Sequence, residues 1–257
     1  MKSVWKPALF FVFCLIITLL FTMPVGHLVA RVKIPDAVII SQLQGSLLEG
    51  QANTLIVNQL IIHDLEYAFD SSCLITVSLC YQLNFAEGSV LMRFVPISGS
   101  IEASQLDIEL SMDNLSAVSD QLFIKPSGSL HLSSDKFKFI QGKLADIDAI
   151  VVWKNAGIAG EDIDLGDYQL NIKKGSGQYQ VSLVDKEAVL DVVGKGGLKS
   201  DGRYSLDINI NAKAGLEARI KNALEFVASK KGLRQYSIRR SGTSDKRLLS
   251  YLSFEDV

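Results

Sequence analysis

"GDYQLNIKKGSGQYQVSL", Gly166 to Leu183, holds one phrase twice: Gly, a polar residue, Tyr, then alternating polar and aliphatic residues. "GRYSLDI", Gly202 to Ile208, repeats it, and a looser copy, Gln235-Tyr236-Ser237-Ile238, follows further on. Side chains of a strand alternate between its faces. Tyr168, Leu170 and Ile172 therefore share one face, with Gln169 and Asn171 opposite. Tyr179, Val181 and Leu183 do the same, against Gln180 and Ser182. Tyr204, Leu206 and Ile208 point inward, with Ser205, Asp207 and Asn209 outward. "KKGSG" between the first two copies has hairpin length and a Gly for the turn. Tyr buries its ring while its hydroxyl stays at a sheet margin. The pattern is a half-buried antiparallel sheet, and nothing in the phrase is reactive.

Outward from this phrase the grammar persists. "AVIISQLQGSLLEGQANTLIVNQLIIHDLEYAF" reads as strands broken at Gly45 and Gly50. "SLCYQLNF", "GSVLMRF", "SIEASQLDIELSM", "GSLHLSS" and "KFKFIQGKLADIDAIVVWK" continue the series, with Gly, Asn, Asp and Ser between them. The spacing predicts a mainly β fold, an antiparallel meander and not alternating strands and helices. "DNLSAVSDQLF" has room for one short helical turn. One amphipathic helix is expected after the N-terminal region, from Leu216 to Ser229. Leu216, Ile220, Leu224 and Val227 form its stripe, and Gly232 is expected to stop it.

The N-terminus differs. Pro7 to Ala30 contains no Asp, Glu, Lys or Arg. As a helix it is about 36 Å long, against about 30 Å of bilayer hydrocarbon. Trp5 suits the headgroup level; Lys2 and Lys6 precede the run, Arg31 and Lys33 follow it. A cleaved signal peptide fits less well, because the apolar core is long and no A-x-A site follows. The expected organisation is a cytoplasmic tail over residues 1–6, a transmembrane anchor over 7–30, and one exported β-rich domain over 31–257.

Searching for chemistry returns little. The chain has 257 residues and a net charge of −2, so electrostatics argue against a nucleic-acid partner. His27, His63 and His131 lack local ligand partners, and no metal site or cofactor motif emerges. "GKGGLKS", Gly194 to Ser200, lacks the G-K-[ST] ending of a phosphate loop and reads as a hairpin loop. Glu161, Asp162, Asp164 and Asp167 lack the EF-hand pattern of a calcium site. No nucleophile, base or metal set assembles, so no enzyme is expected and no catalytic residue is named. Cys73 and Cys80 leave two readings open. On one straight strand they stand about 23 Å apart, which forbids a bond; if "DSSCLI" is a turn or short helix, a disulfide between them becomes feasible. Cys14 reads as a small apolar residue of the anchor. From Ala212 onward there are 10 Lys or Arg against 5 Asp or Glu. Arg234, Arg239, Arg240, Lys246 and Arg247 form a candidate interaction surface for an acidic partner or lipid headgroups.

Taken in order, several of these pieces resemble the type II secretion system protein N family. The resemblance rests on the single span with Pro24, then "ISQLQGSLLEGQA" (Ile40 to Ala52) and "LIIHDLEYAFDSSCLITVSLCYQLNF" (Leu60 to Phe85). "LGDYQLNI", "DGRYSLDINI" and "IKNALEFVASKKGLRQYSIRRSG" complete it. Leu48 stands where an aromatic is common, and Tyr67 where Trp is common. The resemblance implies a single-pass protein of a Gram-negative inner membrane with its bulk in the periplasm. It implies an accessory part in exporting folded exoproteins, with other type II secretion subunits as partners and no enzymatic residues to carry over. The family is in turn similar to AsmA-like envelope proteins, whose sheets curl into a groove. That likeness supplies the alternative expectation, a curled sheet in contact with lipid.

Overall fold

A computed structural model describes residues 5–26, 38–57, 60–112, 125–160, 163–244 and 252–253. They fall into two units that divide between Ser89 and Val90.

The first unit opens with α1 (Trp5–Thr22). Pro7 is tolerated in its first turn, where backbone N–H groups lack helical partners in any case. Thr18 and Thr22 turn their hydroxyls inward onto the carbonyls of Cys14 and Thr18, at 2.9 and 2.8 Å. The helix stops two residues before Pro24, whose ring disfavours helical geometry in the residue preceding it. Its 18 residues make about 27 Å. Among the described residues no helix is long and apolar enough to cross a membrane. The unbroken helical span expected over 7–30 is therefore not found, and residues 27–30 lie outside the described ones.

Five strands follow: β1 (Val38–Ser41), β2 (Gln44–Gly45), β3 (Glu49–Val57), β4 (Leu60–Asp70) and β5 (Leu79–Phe85). They form an antiparallel array in the order β1-β3-β4-β5, with β2 paired to β3. A short 3-10 helix, Ser71–Thr76, joins β4 to β5. β6 (Gly88–Val95) spans the division between the units.

The second unit holds β7 (Ser100–Ser111), β8 (Pro126–Ile140), β9 (Lys143–Ile158), β10 (Asp164–Gly175), β11 (Gln178–Ala188), β12 (Leu190–Lys199) and β13 (Arg203–Ala212). Then come α2 (Ala218–Val227), β14 (Ser229–Lys230) and β15 (Gln235–Thr243). Each strand from β7 to β13 pairs antiparallel with the next, and β15 follows β13 with β14 beyond it. The expected meander is present. The helical turn expected at 113–123 lies outside the described residues.

Alternation in the sequence becomes one long row in space. Ile108, Leu132, Val151, Leu170, Leu183, Gly194, Ile208 and Ile238 are register partners in turn, from β7 across to β15. Seven aliphatic side chains and one glycine thus define the apolar face. At one end of this face α2 lies on it: Ile220 and Leu224 pack with Tyr168, Leu190, Val192, Ile210 and Tyr236. Elsewhere Ile147, Ala149 and Tyr179 form a second buried cluster that also takes Leu252. The Tyr179 hydroxyl lies 2.5 Å from the carbonyl oxygen of Leu144 and 2.8 Å from that of Ser253.

Three details differ from the sequence reading. Tyr204, expected inward, is 40% exposed. It begins the strand, and its register partner Gly242 offers no side chain to cover it. The helix ends at Val227, not Ser229, because Ala228 adopts an extended conformation that starts β14; Gly232 then serves the turn into β15, donating to the Gln235 carbonyl. "GKGGLK" is strand β12 and not a loop. Its Gly194 and Gly196 are occupied from either side by Leu183, Ile208, Val181 and Leu206.

Candidate functional site

In the first unit the residues of "QGSLLEG" fold into a tight hairpin. Gln44 pairs with Gln51 and Gly45 with Gly50. Gly45 has a φ of +113°, a conformation open to glycine. A side chain on Gly50 would meet the Tyr67 ring, its Cβ lying only 2.6 Å from Cζ. Tyr67 itself donates to the Ser46 carbonyl at 2.6 Å, and Tyr81 to that of Leu47 at 3.1 Å. Two phenols from β4 and β5 thus pin the hairpin tip. Burial, and then the neighbouring Tyr81, push the Tyr67 hydroxyl above its ordinary pKa. Sequence reading noticed these glycines as strand breaks but missed the clamp, because its tyrosines are some 20 to 35 residues away.

Between β4 and β5 the chain takes the turn that one of the two cysteine readings required. Asp70 caps the 3-10 helix by accepting from Ser72 N at 2.9 Å. The Ser72 hydroxyl first, and then this backbone bond, hold the Asp70 carboxyl below its usual pKa. Val77 in the left-handed region reverses the chain. Cys73 and Cys80 come to a Cα separation of 5.8 Å and form a disulfide.

Of the basic C-terminal residues, Arg234, Arg239 and Arg240 are described. Arg239 and Arg240 are neighbours on β15, so they point to opposite faces: Arg239 is opposite Asp207, Arg240 opposite Leu206. Arg239 binds Asp207 at 3.0 Å. Arg234 precedes β15, at the other end from Arg240, and its carbonyl accepts from Ala212 N. Lys246 and Arg247 lie outside the described residues.

What the structure assembles instead is a cavity lined mainly by residues that alternate with the aliphatic row, to which Val181, Leu206 and Arg240 also contribute. It measures about 980 Å³ and is lined mainly by β10–β13 and β15. Two register rows cross it. One runs Lys173, Gln180, Gly197, Ser205, Ser241; the next runs Asn171, Ser182, Lys195, Asp207, Arg239. Serines and Gly197 thus share the cavity with long cationic side chains. Lys173 reaches Asp148 at 3.1 Å, and Asn171 donates to Ser182 Oγ at 3.2 Å.

The remaining sequence candidates are structural. Asp164 accepts from Gly166 N and Asp167 from Asn155 N, both at 2.8 Å, which sets the bulged start of β10. Glu161 and Asp162 lie outside the described residues, as does His27. His131 Nδ1 stands 3.5 Å from Asp107, and His63 is exposed on β4. Among the described residues no group of three or more His, Cys, Asp or Glu could hold a metal ion.

An antiparallel meander with one aliphatic face, one polar face and a capping helix is a scaffold that presents surfaces. Residues 36–239 match the family model of type II secretion system protein N, and the chain belongs to that family of type II secretion components. No curated protein and no solved structure matches the chain.

Proposed function

We propose that the protein is an accessory inner-membrane component of type II secretion that supports export of folded exoproteins by protein–protein contact and has no catalytic activity of its own. The observation that carries this reading is the family match, which covers β1 to β14, α2 and the first half of β15. Edge strands are natural docking places for a partner's extended segment. β15 offers one: β14 covers it only at Tyr236 and Ser237, leaving 238–243 without a strand neighbour on that side among the described residues.

The proposal includes an anchor built from α1 with the residues that follow it, and a periplasmic location for residues 31–257. Leu9, Phe10 and Phe11 are each about two-thirds exposed, at 66 to 68%. Such a helix is stable where its surroundings are as apolar as it is. Alkaline extraction tests this part: the protein stays with the membrane, whereas release as a shortened soluble form refutes it.

A second reading, a curled sheet that holds lipid, draws on one observation. Leu132, Val151, Leu170 and Leu183 in the aliphatic row are half-buried, not buried. Deletion of the gene separates the two. Loss of exoprotein release with an intact outer-membrane barrier supports the secretion role; unchanged release with altered outer-membrane permeability overturns it.

A further inference from the structure

We propose that the polar cavity on β10–β13 and β15 is a binding site for an anionic saccharide, a short chain of sugars bearing phosphate, sulfate or carboxylate groups. The proposal does not depend on the secretion reading.

The volume, about 980 Å³, is in the range of ligand sites, roughly 300–1,000 Å³. A smaller cavity lined by Lys199, Arg203 and Tyr204 adjoins it, sharing Gln178, Gly197 and Ser205. Six cations line the two: Lys173, Lys195, Lys199, Arg203, Arg239 and Arg240. Three carboxylates touch them, Asp148 on Lys173, Asp201 on Arg203 and Asp207 on Arg239. The balance is positive, and Lys195 has no ion-pair or hydrogen-bond partner among the described residues.

The floor identifies the kind of anion. Gln178, Gln180, Ser182, Ser205 and Ser241 offer neutral donors and acceptors. Sugar hydroxyls match such a set, because each donates and accepts at once. An acidic peptide offers few hydroxyls to this set, and an acyl chain would leave the cations and the Ser and Gln side chains unpaired.

Gly197 sits in the middle of this floor, and the fold does not require glycine there. A Cβ would lie at ordinary contact distance, 3.6 Å from the Tyr179 carbonyl oxygen and 3.9 Å from Gln178 Oε1. The missing side chain leaves the floor open without any packing need for it to do so.

The test uses the full chain in detergent and a fluorescent heparin-derived tetrasaccharide as probe, read by anisotropy at low salt. Neutral maltotetraose and a hexaglutamate peptide are the competitors. The expected result is micromolar binding of the charged tetrasaccharide, weakened at least tenfold by Lys195→Gln and by Gly197→Leu. Neither competitor should displace it at equal concentration. Circular dichroism checks the fold of Gly197→Leu; if that variant does not fold, Gly197→Ser with Lys195→Gln takes its place. Absence of binding, displacement by hexaglutamate, or full affinity in the variants overturns the proposal.

Discussion

Gly194 and Gly197 stand three residues apart on β12 and face opposite sides of the sheet. On the aliphatic side, Leu183 and Ile208 close over Gly194, so that a Cβ there would lie 3.1 Å from each. On the other side a Cβ on Gly197 would meet only the Tyr179 carbonyl oxygen and Gln178 Oε1, both at ordinary contact distance. The same residue type therefore serves packing on one face and an opening on the other. A strand Gly is ordinarily a weakness, because it adds chain entropy and no contacts. At Gly194 the neighbouring side chains make up for that weakness. At Gly197 it stays uncompensated, which is what one expects of a position kept for a surface and not for the fold.

Substitutions on the two faces should separate these roles. The largest effect is expected at Tyr236, 2% exposed beneath α2. Tyr236→Ala should cost about 3–5 kcal/mol in urea unfolding, as for other large aromatic truncations. Gln180→Ala on the polar face should stay within about 0.5 kcal/mol. Similar losses at both would erase the distinction between the faces. Next come the glycines. Gly194→Val should destabilise by about 1–3 kcal/mol through overpacking, while Gly197→Val should be neutral or gain about 0.5–1 kcal/mol from reduced chain entropy. A midpoint shift of the same sign for both would show that β12 tolerates no side chain on either face.

The faces themselves were legible from alternation alone, because a period of two leaves no freedom once a strand is granted. Tyr168, Tyr179 and Tyr236 are buried as that count requires, at 9, 6 and 2% exposure. Tyr204 escaped it, since its cover depends on residue 242, a partner strand away, being a glycine. Reading "GKGGLKS" as a loop failed for a similar reason. Glycines suggest turns locally, and only the register shows that Leu183 and Ile208 fill the space. The polar cavity was invisible for the same cause. Lys173, Lys195 and Arg239 lie on three different strands, and no local motif joins them. Arg239 and Arg240 were singled out in the sequence, yet without the lysines of β10 and β12 that line the same cavity.

Alkaline pH offers a third contrast. The Tyr168 hydroxyl is pushed up to about 12, by burial first and then by the carboxylates of Asp185 and Asp164. In the unfolded chain a tyrosine titrates near 10. Below that value both states hold the proton and the stabilisation is complete. Between about 10 and 12 only the folded state holds it, so stability falls as pH rises. The loss from this group should be about 1 kcal/mol at pH 11, read as a shift in the urea midpoint. Tyr168→Phe should remove that part of the pH dependence, and an unchanged profile would argue that the phenol is less enclosed than the packing of α2 implies.

The smallest effect should belong to the ion pair on the polar face. Arg239 and Asp207 meet at 3.0 Å, but their side chains are 69% and 47% exposed. Exposed pairs contribute between nothing and about 1 kcal/mol, because water screens them and two long side chains lose freedom. Arg239→Gln should therefore move the urea midpoint by less than Gly194→Val does, and 0.5 M salt should remove what difference there is. A larger, salt-resistant loss would mean that the pair helps hold β13 to β15 and that the polar face shares in the fold. A negligible loss would leave the charges of that face free to serve what binds there, while the aliphatic row alone keeps the strands in register.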